Sequence, residues 1–137
     1  MPSKTWTDRL NDPAPHVVKP VAFDFAGMKR GEVMLVPTAR MVDAFNRKIP
    51  SGKHVSVVSL RSSLAKRYRA EVCCAIYTGY HLRTVAEAAC EAHRLGKPLA
   101  DITPFWRVID LKTPTAKRLA CGIEFIRKQR QSEGLLP

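Results

Sequence analysis

An alanine-rich stretch near the middle of the chain, Tyr80–Leu95, has the sequence YHLRTVAEAACEAHRL. Its apolar residues recur at the three- and four-residue spacing that places side chains on one face of a helix. Gly79 precedes the stretch, and Gly96 and Pro98 follow it, as is typical at a helix end. The pattern predicts a long helix, the third in the helical part of the chain. Its predicted buried stripe consists of Leu82, Val85, Ala86, Ala89 and His93.

Three further helices are predicted from the same periodicity. One spans Thr38–Ile49, with Thr38 as N-cap and Pro50 as the residue that stops it. The next is capped by Ser59, and the last spans Thr115–Ser132, with a polar face rich in Lys and Arg. Their predicted apolar faces are, in order, Met41, Val42, Phe45 and Ile49; Leu60, Leu64, Ala65 and Tyr68; and Leu119, Ile123 and Ile126.

The N-terminal part lacks this periodicity. Met1–Pro20 contains four of the ten prolines, which predicts an extended arm that Trp6 and Leu10 pin to the domain. The segments VAFDFAG and GEVMLVP flank a turn at Met28–Gly31 and predict a short hairpin. Near the other end of the chain, Ile102–Leu111 is predicted to be a loop with a short strand.

These elements predict a mainly α fold of the α+β class. Two short helices followed by an alanine-rich third helix are typical of a winged-helix-like helix-turn-helix domain with a short N-terminal hairpin or arm. Small residues on the third helix suit close approach to a duplex. The predicted division is residues 1–32 as arm and hairpin, and residues 33–137 as the DNA-binding domain.

The charge of the chain favours an anionic partner. The 137 residues include 23 Lys and Arg against 12 Asp and Glu, a net charge of +11, with a sequence pI near 10.0. Nucleic acid is the commonest partner of so basic a domain. No apolar run approaches the length needed to span a bilayer, and no apolar signal segment opens the sequence. We therefore expect a cytoplasmic, nucleoid-associated protein that does not bind membranes.

The cysteines point away from a metal site. Cys73 and Cys74 are adjacent, which is poor geometry for an ordinary disulfide, and Cys90 and Cys121 complete the set of four. No pair has the spacing typical of zinc ligands. We expect a reduced protein with small buried thiols, no metal and no cofactor.

Three motifs follow in order along the second half of the chain. RTVA is found at Arg83–Ala86, GKPLADITPFWRV at Gly96–Val108, and Gly122 is followed by the Glu133–Gly134 pair. In this order and spacing they resemble the DNA-binding domain of the alkylguanine-DNA alkyltransferases. The chain is more similar still to the small alkyltransferase-like proteins that lack the reactive cysteine. The resemblance covers residues 33–137.

Departures from the family pattern bear on activity. In the enzymes a Cys, activated by a neighbouring His, accepts the alkyl group from guanine, and only its thiolate is a good nucleophile. Here Phe105 stands at the position of that Cys and Trp106 at that of the His, while Lys97 replaces an Asn. Glu133 is retained without its partners and is expected to be a solvated carboxylate at a helix end. We therefore expect a protein that is not an enzyme.

The resemblance implies a DNA interface and a pocket for an extruded base. It implies that Arg83 acts as the arginine finger that takes the place of a flipped base. Aromatic side chains beside it would stack on that base, although the same rings could simply fill the core. The expected DNA-binding residues are Arg83, Thr84, Tyr80, Ser56, Ser59, Lys97 and Arg107. The expected base pocket consists of Pro104, Phe105, Trp106 and Val108.

The leading hypothesis is therefore a monomeric, non-catalytic protein that binds double-stranded DNA, recognises alkylated guanine and marks it for DNA repair proteins. Three alternatives stay open. One is an alkyl-accepting enzyme that uses Cys74 or Cys121. Another is a general DNA-binding or regulatory module with no preference for lesions, which an inward-packed Phe105–Trp106 pair would favour. The third is a basic interaction protein whose partner is not DNA, recognisable by weak dependence on salt.

Overall fold

A computed structural model describes residues 4–137 and has a mixed α+β fold. Short strands form one small sheet, and shorter helices pack around the longest helix. In chain order the α-helices and strands are α1 (Trp6–Leu10), β1 (Val17–Pro20), β2 (Val33–Val36), α2 (Ala39–Arg47), α3 (Val57–Arg67), β3 (Val72–Cys73), α4 (Ala75–Arg94) and α5 (Gly122–Ser132). Single 3₁₀ turns occupy Leu99–Asp101, Phe105–Arg107 and Pro114–Arg118. The α+β class predicted from the sequence is confirmed.

The sheet has the order β1-β2-β3. β1 pairs antiparallel with β2, with Val17 opposite Val36, and β2 pairs in parallel with β3. The predicted hairpin therefore exists, but its first strand precedes the VAFDFAG segment rather than running through it. That segment folds into a tight turn instead, closed by a bridge between Phe25 and Met28, with Ala26 in the left-handed region at φ 49°. The sheet joins the two predicted units across the boundary at residue 32.

The predicted extended arm contains a helix. Thr5 and Asp8 form a capping box at the start of α1, in which each side chain accepts a hydrogen bond from the other's backbone N–H. This local pairing fixes a helical turn among the prolines. α1 packs against α4, and Leu10 packs on the core while the Trp6 ring lies over Arg83, so both residues do hold the arm to the domain, but from a helix. Met1, Pro2 and Ser3, at the start of the predicted arm, lie outside the described residues.

Of the two predicted helix N-caps, one is confirmed and the other lies three residues earlier in the chain. Thr38 caps α2, accepting the Met41 N–H at 3.2 Å, as predicted. The cap of α3 is Ser56 rather than Ser59, because the Ser56 hydroxyl accepts the Ser59 N–H at 3.1 Å. α3 therefore begins earlier than the sequence predicted.

The long helix α4 is confirmed, with different limits. It starts at Ala75 and passes through Gly79, which the sequence placed before it, and ends as predicted before Gly96. Its buried face contains Leu82, Val85, Ala86 and Ala89. His93 is exposed, because it lies in the last turn, where its ring nitrogen pairs with the carbonyl of Lys97 instead.

The C-terminal segments are less regular than predicted. Phe105–Arg107 forms a 3₁₀ turn rather than a strand. The predicted helix at 115–132 is divided, because the backbone is extended at Leu119 and Gly122 adopts φ 81° before α5 continues. Cys90 of α4 and Cys121 beside α5 form a disulfide, with their Cα atoms 5.8 Å apart, in place of the expected free thiols. Cys73 and Cys74 are free and buried, as expected.

The main hydrophobic core surrounds α4, and a smaller cluster of Val21, Met28, Met34 and Cys74 lies beside the sheet. Within residues 4–137, no helix is both long and apolar enough to cross a lipid bilayer. The same residues hold no group of three or more His, Cys, Asp or Glu side chains arranged to bind a metal ion.

Candidate nucleic-acid interface

The side chains expected to form a base pocket lie in the core. Phe105, Trp106 and Val108 are only 0%, 4% and 1% exposed, and Pro104 is half-buried. The Phe105 ring stacks on Phe125 with centroids 5.9 Å apart and meets Trp106 edge-on at 5.4 Å. Burying two large aromatic rings stabilises the fold by removing apolar area from water. The expectation of an open pocket at this position is wrong for the described residues, because both rings point inward.

Glu133 is a hydrogen-bonding centre rather than a solvated carboxylate. It accepts hydrogen bonds from the Trp106 indole N–H at 2.7 Å, the Gly52 amide at 2.9 Å and the Arg107 guanidinium at 2.9 Å. Burial alone would raise the pKa of Glu133, but these hydrogen bonds outweigh it and lower the pKa to about 2. None of these partners was predicted from the sequence. The signal was present, because Trp106 occupies the position where the resemblance places the family's His.

Arg107 belongs to the same network and is not free to bind phosphate. Its guanidinium forms an ion pair with Glu133, and its Nη1 donates to the Ile49 carbonyl at 2.8 Å. Only 16% of the Arg107 side chain is exposed. The prediction that Arg107 contacts DNA is therefore not supported by its position, because each of its three guanidinium nitrogens donates a hydrogen bond within the fold.

A second buried arginine, Arg130, lies on α5, whose polar face was predicted to be rich in Lys and Arg. Arg130 donates to the carbonyls of Trp106 and Leu136, each at 2.6 Å, and its Nη1 lies 3.1 Å from His54 Nδ1. Burial and the nearby Arg130 charge lower the pKa of His54. Arg130 thus ties the C-terminus to the 3₁₀ turn that carries Trp106.

Arg83 lies in α4, and its side chain is partly covered by α1. Its side chain is 37% exposed, and its Nη2 is 3.6 Å from Glu87 Oε2 on the next turn. The Trp6 ring lies over the guanidinium, with 5.3 Å from Cζ to the ring centroid, and Arg83 Nε is buried without a hydrogen-bond partner in the described part of the chain. Arg83 therefore reaches the surface, but it does not project freely from it.

A carboxylate on α4 holds α1 over Arg83. Glu91 accepts hydrogen bonds from the N–H groups of Trp6 at 3.3 Å and Thr7 at 3.2 Å, and from the Thr7 hydroxyl at 2.7 Å. The Thr7 hydroxyl is the largest cause that lowers the pKa of Glu91. Arg40 adds a hydrogen bond to the Asn11 carbonyl at 2.7 Å. The N–H groups of the first turn of α1 are thus satisfied by a charged acceptor on the helix beneath it.

The other predicted DNA-binding residues fall into two groups. Thr84 is buried and its hydroxyl donates to the Tyr80 carbonyl at 3.2 Å, so the expectation that it faces phosphate is wrong. This back-bonding is common for Thr inside a helix. Tyr80 is exposed near the start of α4, and Ser56 and Ser59 are exposed at the start of α3. Lys97 is exposed beyond the end of α4.

A cleft between α2 and α3, which we call the basic cleft, gathers positive charge that was not predicted from the sequence. It has a volume of about 460 Å³ and an apolar floor that includes Phe45, Ile49 and Leu64. None of the described residues that line it is acidic. The signal in the sequence was the run RKIPSGKH, which turns at Pro50 and brings its basic residues to one rim. The positively charged or titratable residues of the rim are Lys48, Lys53, His54 and Arg67.

The structure thus leaves Tyr80 and Arg83 on the surface of α4 and places Ser56 directly after Val55 of the basic cleft, while it buries Phe105 and Trp106. Comparisons of the chain with protein-family models, with curated proteins and with solved structures find no match. No relative therefore supplies a functional residue for these surfaces.

Proposed function

We propose that this protein binds double-stranded DNA and performs no chemistry on it, in the manner of the alkyltransferase-like proteins that its motifs resemble. The observation that carries the proposal is the basic cleft. The described residues that line it include Lys48, Lys53 and Arg67 and no acidic residue. Ser56, the N-cap of α3, directly follows Val55, which also lines the cleft. Clustered cations of this kind neutralise phosphates and supply most of the non-specific affinity of DNA-binding proteins.

The state of the cysteines supports a non-catalytic role. Cys73 and Cys74 are buried, and burial raises the pKa of the Cys73 thiol, so neither suits the thiolate chemistry of an alkyl acceptor. Cys121 is paired with Cys90. The alternative of an alkyl-accepting enzyme that uses Cys74 or Cys121 is therefore disfavoured.

We propose that α3 and α4 are the helices that meet the duplex. Their connection, residues 68–74, contains β3 and is longer than the usual turn of three or four residues. On α4, Ile76, Tyr77 and Tyr80 are exposed, while most of the helix beyond them is buried. We propose that the start of α4, rather than its whole length, approaches the DNA.

Two versions of the DNA-binding function remain distinct. The inward packing of Phe105 and Trp106 favours a general DNA-binding protein with no lesion preference at that position. The position of Arg83 at the surface favours a sensor of alkylated guanine, because a long planar cation can take the place of an extruded base. Of the two, the burial of both rings makes the general DNA-binding protein the better supported.

Fluorescence anisotropy with two duplexes, one with a methylated guanine and its unmodified twin, tests the proposal at two salt concentrations. Wild-type binding should fall steeply as salt rises. The triple variant Lys48→Gln, Lys53→Gln, Arg67→Gln should reduce the slope of log affinity against log salt by about one for each phosphate that it no longer neutralises. Lys29→Gln, in the exposed turn between β1 and β2, is the matched control and should leave the slope within experimental error.

Each outcome decides between the two versions. Equal, salt-dependent binding to both duplexes supports the general DNA-binding protein, and a preference for the methylated duplex that is lost in Arg83→Ala supports the sensor. Binding that ignores salt, or that the triple variant leaves unchanged, overturns the basic cleft as a DNA interface.

A further inference from the structure

A second cleft lies where α1 meets the first turns of α4. It has a volume of about 510 Å³ and is bordered by Lys4 and Arg9 on one side and by Tyr77 and Tyr80 on the other. We call it the tyrosine cleft. Its volume falls in the range of sites that hold small organic ligands.

Two aromatic side chains stand open along one wall. Tyr77 and Tyr80 are 51% and 55% exposed, and they lie three residues apart on α4, so their rings share one face of the helix. The His81 ring lies beside both, with centroids 5.9 Å from Tyr77 and 5.6 Å from Tyr80. This wall offers two half-exposed aromatic rings to a ligand.

The opposite wall carries positive charge. Lys4 and Arg9 line it, and Asp12 is the one acidic residue among the lining side chains of this cleft. The Arg9 guanidinium lies 4.8 Å from the centroid of the Trp6 ring, which holds the long side chain in place at the rim. The excess of positive charge favours an anionic ligand.

One lining residue of the cleft, His81, carries a buried polar atom. His81 Nδ1 is buried and has no hydrogen-bond partner among the described residues, an uncommon state that costs free energy unless a partner arrives. Burial lowers the pKa of His81, which the Pro37 carbonyl and the charge of Asp12 only partly oppose, and so favours the neutral form of the ring. A neutral imidazole can pair with the polar edge of a heterocyclic base.

We infer that the tyrosine cleft binds one unpaired nucleotide, with the base stacked on Tyr77 and Tyr80 and its phosphate between Lys4 and Arg9. The inference rests on the proposed function, which supplies a nucleic-acid strand as the source of that nucleotide. Base stacking on aromatic side chains with cations along the backbone is the usual mode of binding unpaired nucleic acid. Because Phe105 and Trp106 are buried, this cleft is a different place from the pocket implied by the family resemblance.

Calorimetric titration of the full chain tests the inference with four probes: dGMP, deoxyribose 5-phosphate, a single-stranded tetranucleotide, and a plain duplex. The base-free sugar phosphate should bind much more weakly than dGMP, because it cannot stack. The double variant Tyr77→Ala, Tyr80→Ala should weaken binding of the tetranucleotide by about 5- to 150-fold for each base that loses its stack. Phe23→Ala is the matched control, since Phe23 is an exposed aromatic residue that does not line the cleft.

The charged wall has its own test. Arg9→Gln should weaken dGMP and tetranucleotide binding, whereas Lys19→Gln on the exposed strand β1 should not. Stronger binding of the tetranucleotide than of dGMP identifies a nucleic-acid strand as the source, and the reverse identifies a free nucleotide. In either case loss of binding in the tyrosine variant supports the cleft.

The inference fails if dGMP and the sugar phosphate bind equally, or if the tyrosine variant binds the tetranucleotide like the wild type. The duplex probe keeps this failure separate from that of the proposed function. Because tyrosine carries no charge, the tyrosine variant should keep the wild-type slope of duplex affinity against salt even where its affinity falls, whereas the basic-cleft variant lowers that slope. Circular dichroism should show that each variant is folded, because the substituted side chains are exposed.

Discussion

The indole ring of Trp6 covers the guanidinium group of Arg83, with 5.3 Å between Arg83 Cζ and the ring centroid. The two residues are far apart in the sequence and meet because α1 packs on α4. The family resemblance implies that Arg83 enters the DNA. In the structure, Arg83 is instead covered by a helix of the N-terminal arm. This relationship makes α1 a determinant of how Arg83 is presented.

Removing the covering ring should change DNA binding. Trp6→Ala frees the Arg83 guanidinium from an interaction worth about 0.5–1 kcal/mol, so affinity for duplex DNA should rise about two- to fivefold if Arg83 contacts the duplex. Anisotropy titration of wild type and Trp6→Ala measures this. Leu95→Ala, at an exposed position beyond α4, is the control and should have no effect. An unchanged affinity in Trp6→Ala would remove Arg83 from the interface.

The carboxylate of Glu91 should control the docking of α1. Glu91→Gln removes the charge that accepts the N–H groups of Trp6 and Thr7, so these amides should exchange with solvent faster in hydrogen-exchange measurements. Because the pKa of Glu91 is lowered in the folded protein, the charged acceptor is present above its ordinary pKa of 4.5 and is lost as pH falls through the lower folded value.

The control for this prediction is Glu124→Gln. Glu124 is an exposed carboxylate on α5 that pairs with Arg127. Its substitution should leave the exchange of the α1 amides unchanged, and equal exchange in both variants would show that Glu91 does not hold α1.

Glu133 should contribute strongly to stability at neutral pH. Glu133→Gln leaves the Arg107 charge without its partner in a largely buried site. The free energy of unfolding should therefore fall by about 3 kcal/mol. Urea denaturation at pH 7 measures the loss. The exposed pair broken in Glu124→Gln should cost less than about 1 kcal/mol. A similar small loss in Glu133→Gln would contradict the network described around Trp106.

The same carboxylate should make stability depend on acid pH. Its folded pKa of about 2 lies below the ordinary value of 4.5, so its contribution is complete above about pH 4.5 and disappears as pH falls from there toward 2. This difference corresponds to about 3 kcal/mol. The wild type should therefore lose more stability than Glu133→Gln between pH 5 and pH 2, and parallel pH profiles would refute the assignment.

Phe105 should behave as a core residue. Phe105→Ala removes a fully buried ring that stacks on Phe125, and should lower the free energy of unfolding by about 3–5 kcal/mol. In any folded fraction, the ratio of affinities for methylated and unmodified duplexes should stay at the wild-type value. Phe23→Ala, at an exposed phenylalanine, should cost little. A lesion preference that disappears in Phe105→Ala would restore the base-pocket hypothesis.

Local signals predicted the helices best. Thr38 accepts the Met41 N–H within its own turn, and the apolar spacing of Leu82, Val85 and Ala89 lies on a single helix, so both were evident from neighbouring residues. Errors arose where two local choices competed. Ser56 and Ser59 both suit a helix cap, and only the backbone decides between them. The capping box of Thr5 and Asp8 was a local signal that the surrounding prolines obscured.

The amino-acid sequence alone determined the α+β class, the long helix α4 and the large positive charge, because these depend on composition and on residues a few positions apart. Only the tertiary structure decided that Phe105 is buried, that Glu133 binds Trp106 and Arg107, and that Trp6 covers Arg83. Each of these depends on which distant segment packs alongside. Burial and charge pairing are properties of such neighbours, so the chemical character of a residue does not reveal them by itself.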